Sequence, residues 1–399
     1  MRKQPDQDHA KHGALPRSDG GSVYVPVQTR SERFSSTEVS EFPEVTGREL
    51  EWKLSPVAKL RPLIDGSLVG GEWPYQAEAT TGVQLEWIDR ADARVGSAGK
   101  PEERASANAW SSFERALSVT VSGEEAEDVV LTRSSLTAVP SAAHTIITAR
   151  KHSRGHVVLH NTGAAMLSEN VEIVVEDGAH LTVVSVQQWD TDAVHAASHF
   201  ARVGRDAHLR HVLVSLDGDV VRINPSVHLV SDGADVELFG AYFSTAGQHI
   251  EQQVFVDHDA ANTRSRVAYK GALQGRDARS VWVGDVLIRQ SGVGTDSYEQ
   301  NRNLLLTDGA RADSIPNLEI ETGDIAGAGH ASASGRFDDE QLFYLQARGI
   351  SEEAARRLVV RGFLAEIVQK IGLPDLETKL ESAIEAALVP GPSQEGPSN

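Results

Sequence analysis

Fifteen histidines and no cysteine set the limits of what this chain can do with a metal. Thiolates hold most closed zinc sites and most iron-sulfur clusters, so a chain without them must draw such ligands from elsewhere. Imidazole remains. His195 and His199 have the spacing that places two rings on one face of a helix, but no H-E-x-x-H glutamate lies between them, and the segment reads as well as a loop or strand. Exposed polar residues are the plainer expectation there. His208 and His211 flank an apolar strand and are expected near turns; His249 and His258 are expected to be hydrogen-bonded structural residues. His330 is different. It lies between Gly327-Ala328-Gly329 and Ala331-Ser332-Ala333-Ser334, where no bulky neighbour in the chain can enclose it, and a neutral imidazole is a competent ligand to iron. Glu319, Glu321 and Asp324 nearby are either supporting carboxylates or a solvated strand edge.

Other chemistries find no residues to carry them. There is no G-x-x-x-x-G-K-[ST] phosphate loop and no G-x-S-x-G nucleophile elbow, and Gly327-Ala328-Gly329 lacks the third glycine of a dinucleotide fingerprint. A net charge of -19 argues against nucleic acid, whose binders gather Lys and Arg. The apolar runs are shorter than the ~18 residues of a membrane span, and Met1-Arg2-Lys3-Gln4-Pro5 opens no secretory signal, so the cytoplasm is the expected compartment. A β-helix enzyme acting on an acidic polysaccharide is the rival reading, weakened by the charge and by the missing signal.

These residues need a scaffold to position them. Residues 1–44, rich in Ser, Gly, Pro and charged groups, have the composition of a disordered tail, as do residues 391–399. Residues 45–117 read as a mixed, partly helical region, with apolar spacing over Glu49–Asp65 interrupted by Pro56 and Pro62, and a second helix over Ala105–Ala116 carrying Trp110 and Phe113. From 118 to 330 short β-type runs take over, among them Leu117–Val121, Val129–Leu131, Thr145–Thr148, His156–His160, Val171–Val175 and Leu181–Val186. An Asp-Gly-Ala or Gly-x-Asp-Ala turn recurs with alanines at Ala179, Ala207, Ala234, Ala278 and Ala310, separated by 28, 27, 44 and 32 residues. The long interval requires an insertion or a degenerate turn near Asp259-Ala260-Ala261. One coil per period is the signature of a parallel β-helix, with an antiparallel sandwich as the competing fold. Residues 331–390 read as a helical domain: Asp338 or Asp339 caps a first helix ended by Gly349, and Ser351 caps a second that runs to Gly372. These terminal helices are expected to cover open sheet edges.

The run P-x-LEI (Pro316–Ile320), then His330, then GR-x-D-x-EQLFYL-x-x-RGI-x-x-x-x-A (Gly335–Ala355) resembles the C-terminal signature of the SufB/SufD family. Gln248–Leu273 and Thr295–Ala310 resemble its central blocks. The resemblance covers about Val171–Ile371. It implies a right-handed parallel β-helix flanked by helical regions and a scaffold role in iron-sulfur cluster assembly. Ala310, Gly329 and Ala331 stand where the SufB type has a cysteine and two glutamates, so the chain looks like the SufD type. That implies a SufB-like partner, a cluster held transiently at the shared boundary with His330 beside it, and no cluster bound alone. Alternatively His330 only bonds the subunit interface. The resemblance also implies that a SufC-like ATPase docks on the C-terminal helices, with Leu342, Phe343, Arg348, Arg356, Arg357, Leu358, Arg361, Phe363 and Ile367 as candidate contacts. The arginines read as a locally basic patch. A homodimer in isolation stays open.

Overall fold

A computed structural model describes residues 14–16, 22–24, 33–336 and 339–388. Of the expected tails, 391–399 and most of 1–32 lie outside the described residues. Residues 33–44 do not belong to a tail: Arg33 bonds Glu102 and Asp285, the Ser36 amide donates to Pro101, and Phe42 is buried.

Strands β1 (Ala14–Pro16) and β2 (Ser22–Tyr24) form a small antiparallel ladder. Helix α1 (Val57–Ile64) is shorter than the apolar spacing suggests, because Pro56 stands at its N-cap and cannot be drawn into a preceding turn. Strands β3 (Gln76–Ala79) and β4 (Val83–Asp89) follow, then α2 (Arg104–Ser112), capped by the Glu103 carboxylate on the Ser106 amide. This helix stops four residues before the expected Ala116, because the chain turns extended at Phe113 and enters the solenoid.

The solenoid is built from β5 (Arg115–Val121), β6 (Ala126–Arg133), β7 (Pro140–Ala149), β8 (Arg154–Gly163), β9 (Met166–Val175), β10 (His180–Trp189), β11 (Val194–Val203), β12 (His208–Asp217), β13 (Val220–Leu229), β14 (Asp235–Ser244), β15 (His249–His258), β16 (Arg264–Leu273), β17 (Arg279–Ile288), β18 (Asp296–Leu305), β19 (Arg311–Ile320) and β20 (Gly327–Arg336). Odd and even strands make two nine-stranded sheets, so β5 to β20 form eight parallel coils of one strand per sheet. At the N-terminal end β3 and β4 extend the sheets antiparallel. The fold is therefore a parallel β-helix, as expected. The uneven repeat is explained by two kinds of corner. Left-handed residues Gly178, Asp206, Gly233, Asn262 and Gly294 precede even strands, whereas Asp277 and Gly309 precede odd ones. The 44-residue interval joined turns from opposite corners, and the degenerate turn is the one at Asn262.

Alternate residues of both sheets point inward to one apolar column running from Leu117 to Ile288. Reciprocal glycines keep it packed: Gly240 lies under the Tyr269 ring and Gly271 under the Tyr242 ring, and a Cβ at either would overlap the ring. Gly271→Ala is expected to cost about 1–3 kcal/mol by overpacking, read from the midpoint of urea unfolding; a midpoint equal to wild type would contradict this packing.

Much of the outer sheet surface is buried too, so β10 places Val183 in the interior column and Val184 beneath the C-terminal helices. The odd sheet lies beneath the N-terminal region, where Trp52, Leu60, Leu63 and Ile64 meet Val194, Ala196 and Val220. The even sheet lies beneath α4 (Glu352–Val368) and α5 (Pro374–Ala387), which bring Val360, Leu364, Ile367 and Leu380 against Val184, Val212 and Phe243. Terminal helices thus cover faces, not the expected edges. Helix α3 (Asp339–Gln346) is followed by left-handed Gly349, and Ser351 caps α4, which ends at Val368 with Gln369 as its C-cap, four residues before the expected stop at Gly372. Helix α5, begun by Pro374, is an element that the two-helix expectation did not contain. The solenoid also runs on to Arg336, so the expected boundary at residue 330 falls inside β20.

Candidate functional site at the open end of the solenoid

Among the described residues no further coil stacks on β19 and β20, and their residues are half-buried to exposed, whereas β17 behind them is buried almost throughout. A parallel ladder with its outer row of amides and carbonyls unpaired is a template for another chain. His330 sits in the middle of β20 in register with Glu299 of β18, so both side chains face the interior column, His330 at its mouth and Glu299 one layer below. The imidazole is 44% exposed, and its Nδ1 is 3.8 Å from Glu299 Oε1.

Glu299 has almost no contact with solvent, and neither carboxyl oxygen has a hydrogen-bond partner among the described residues. Burial, reinforced by the charge of Asp285, pushes its pKa up to about 8. Gly284 on the opposite sheet leaves room for it, since a Cβ there would overlap the carboxyl group. Asp285 itself is tied to Arg33 at 2.8 Å and to Asn317 at 2.7 Å. Sequence reasoning missed Glu299. The signal was there in Ser297, Glu299, Asn301 and Asn303, an alternating polar row in a strand whose neighbours bury apolar groups, with Asn301 and Asn303 bonded to the Tyr242 hydroxyl.

The other histidines are placed by structure, not by ligands. His195 and His199 lie on β11, inside the solenoid, which corrects the expectation of exposed residues. His195 donates from Nε2 to Glu169 (3.0 Å), whose other oxygen holds Arg133 at 2.8 Å; burial opposes ionisation of Glu169, but the guanidinium keeps its pKa well below the carboxylate range. His199 and His211 share a hydrogen bond of 2.8 Å, and burial lowers both, His199 to about 4, so the pair is neutral at pH 7. His211 is therefore inside, not at a corner, while His208 is at the start of β12 between Asp235 and Glu237, which raise it to about 9. His249 and His258 are bonded to Glu251 and to Thr263 and Ser265, as expected. Glu321 accepts from the Gln290 amide at the edge of the odd sheet. Among the described residues no three His, Asp or Glu side chains converge as a metal site.

The helical candidates divide. Phe343 (72% exposed), Tyr344 (56%) and Leu358 (49%) form an outward apolar patch on α3 and α4, with Arg348 stacked on Tyr344. Ile367 is 2% exposed and belongs to the packing of α4 on the even sheet, so it is not a surface contact; Phe363 is half-buried beneath Lys270. Leu342 lies in α3, outside the residues whose side chains are described. The expected basic patch is also corrected: Arg356 and Arg357 pair with Glu352 and Glu353 one turn away, and Arg361 pairs with Glu381 and Glu385. Beside this surface a cavity of about 340 Å³ opens between Thr307, Arg357, Val360 and Leu388.

The parallel β-solenoid thus has an open end with His330 at its mouth and, on its helical side, exposed apolar side chains. Residues 131–363 match the family described as SUF system FeS cluster assembly, SufBD core domain. The chain is 47% identical over 373 residues to an iron-sulfur cluster assembly SufBD family protein of Mycobacterium bovis, covering 91% of this chain and 94% of that one. A Mycobacterium leprae protein of the same description is 47% identical over 366 residues, 89% and 93% of the two chains. A second Mycobacterium leprae protein so described is 27% identical over 221 residues, 55% of this chain and 25% of that one. The chain belongs to the SufB/SufD family of iron-sulfur cluster assembly proteins.

Proposed function

We propose that this chain is the SufD-like, non-catalytic scaffold subunit of a cytoplasmic Suf assembly complex. It pairs through the open β19/β20 end with a cysteine-bearing SufB-like subunit, and the nascent cluster, which is the cargo, forms at that boundary with His330 as this chain's ligand. The observation that carries the reading is the position of His330: in a chain without cysteine, the exposed imidazole stands at the mouth of the open end. The presence in Mycobacterium leprae of both a 47% and a 27% relative supports a pairing of two different family members. The rival enzyme reading is not favoured, because the N-terminal region covers the outer face of the odd sheet at β11 and β13, and α4 and α5 cover that of the even sheet at β10, β12 and β14, leaving no free outer face there for a polysaccharide.

The apolar patch of Phe343, Tyr344 and Leu358 is the docking surface for a SufC-like ATPase. Helix α3 begins three residues after the His330 strand ends, so movement of the docked ATPase is conveyed along the chain to the open end. Paired substitution Phe343→Ser and Leu358→Ser is expected to weaken ATPase binding about tenfold or more, with an unchanged thermal midpoint, since both side chains are exposed. Ile367→Ser, by contrast, lowers the midpoint. Equal ATPase affinity of the double variant and wild type by calorimetry would remove this surface from the interface.

The test of the site is reconstitution with a cysteine-bearing family member and the ATPase. His330→Ala is expected to leave the complex intact by size and to reduce cluster yield to that of the mixture lacking this chain; full yield from an intact complex would refute the assignment.

A further inference from the structure

His330 does not stand alone at the mouth; three strands converge on the acid beneath it. From β17 come Gly284, whose missing side chain leaves the space that the carboxyl group fills, and Asp285, held by Arg33 and Asn317. From β19 the backbone N–H of Asn317 lies near Glu299 without meeting hydrogen-bond geometry, and from β20 comes His330. A buried carboxyl group with neither oxygen bonded is costly to the fold, and such groups in native proteins mark strain or function. The polar group that can relieve it by side-chain rotation is the half-exposed imidazole, whose 3.8 Å separation from Oε1 exceeds a hydrogen bond by less than an ångström.

We propose that Glu299 is a positioning residue for His330: its carboxyl group accepts a hydrogen bond from Nδ1–H through its carbonyl oxygen and so leaves Nε2 unprotonated and turned outward to the ligand received at the open end. This rests on the reading that His330 meets that ligand. The arrangement follows the general pattern in which a ligating imidazole uses its second nitrogen on a carboxyl group, which fixes ring orientation and tautomer. It also explains why an acid is kept in an interior column where Val267, Leu238, His211 and Val183 hold the equivalent positions of earlier coils.

The experiment uses the full chain labelled with ¹⁵N-histidine, with His330→Ala to assign the ring signals. In wild type the long-range ¹H–¹⁵N pattern of His330 is expected to show one dominant tautomer. Glu299→Gln, which can still donate to or accept from Nδ1, keeps a dominant tautomer, and Glu299→Leu gives the mixed pattern of an unconstrained imidazole. A His330 pattern identical in Glu299→Leu and wild type would overturn the proposal. Cobalt(II) then separates it from the reading beneath it. The cobalt concentration that broadens the His330 signals is expected to rise about tenfold in Glu299→Leu. If cobalt leaves the wild-type His330 signals sharp, the ligand role of His330 fails, and the tautomer comparison still decides the role of Glu299.

Discussion

Arg222→Met is expected to lower the unfolding free energy by about 3–5 kcal/mol, the usual consequence of leaving buried carboxylates without their cation. Arg222 is buried on the outer face of β13, bonded to Glu251 at 3.0 Å and paired with Glu103 at 3.2 Å, and its guanidinium lies 4.1 Å from the Trp52 ring centre. Glu103 caps α2 and Trp52 anchors the N-terminal apolar cluster, so one guanidinium clamps the N-terminal region to the odd sheet. Burial alone would raise the pKa of Glu251, but the Arg222 charge overrides it and holds it at about 2. A depressed carboxylate contributes stability above its unfolded pKa of about 4.5 and loses it as pH falls toward 2. Arg222→Met should therefore be weakened most near neutrality and approach wild type in acid. Guanidinium unfolding followed by tryptophan fluorescence measures this, and a loss below about 1 kcal/mol at pH 7 would show that the clamp is dispensable.

Glu299→Gln is expected to act in the opposite direction. With a folded pKa near 8 against about 4.5 unfolded, the folded state holds a proton that the unfolded chain gives up, so stability falls as pH rises between those values. Every tenfold difference in proton affinity between the two states is worth about 1.4 kcal/mol, so above pH 8 the acid costs the fold roughly 4 kcal/mol. Asp285 from β17 adds to the effect, with its charge partly offset by Arg33, and His330 faces the acid from β20. The amide variant should match wild type near pH 5 and exceed it by a few kcal/mol near pH 9. Parallel pH–stability curves for the two proteins would mean that Glu299 is ionised in the fold.

Much of this architecture was legible because its signals are local. Turn residues that require a left-handed backbone, such as Gly178 and Gly233, mark corners wherever they fall, and Ser351 caps α4 in the sequence as it does in space. His330 stood out for the same reason, framed by residues too small to bury it. What escaped depends on the third dimension. Two corner types interleave along one chain, so spacing alone could not show that Asp277 and Gly233 lie on opposite sides. His195, His199 and His211 look like surface residues until parallel strands bring Glu169 and one another within reach. Ile367 and Leu358 occupy one helix with similar hydropathy, and the even sheet decides which is buried. Glu299 acquires its role from Gly284, Asn317 and His330, each at least 15 residues away along the chain.

The central claim is that the open β19/β20 end meets a cysteine-bearing family member. A photo-crosslinking amino acid in place of Ser332 on β20, compared in the native cell with one in place of Glu78 on β3 at the far end of the same sheet, tests it most directly. A crosslink from position 332 to the SufB-like protein is expected, and none from position 78. A crosslink from position 78 with none from position 332 would contradict it.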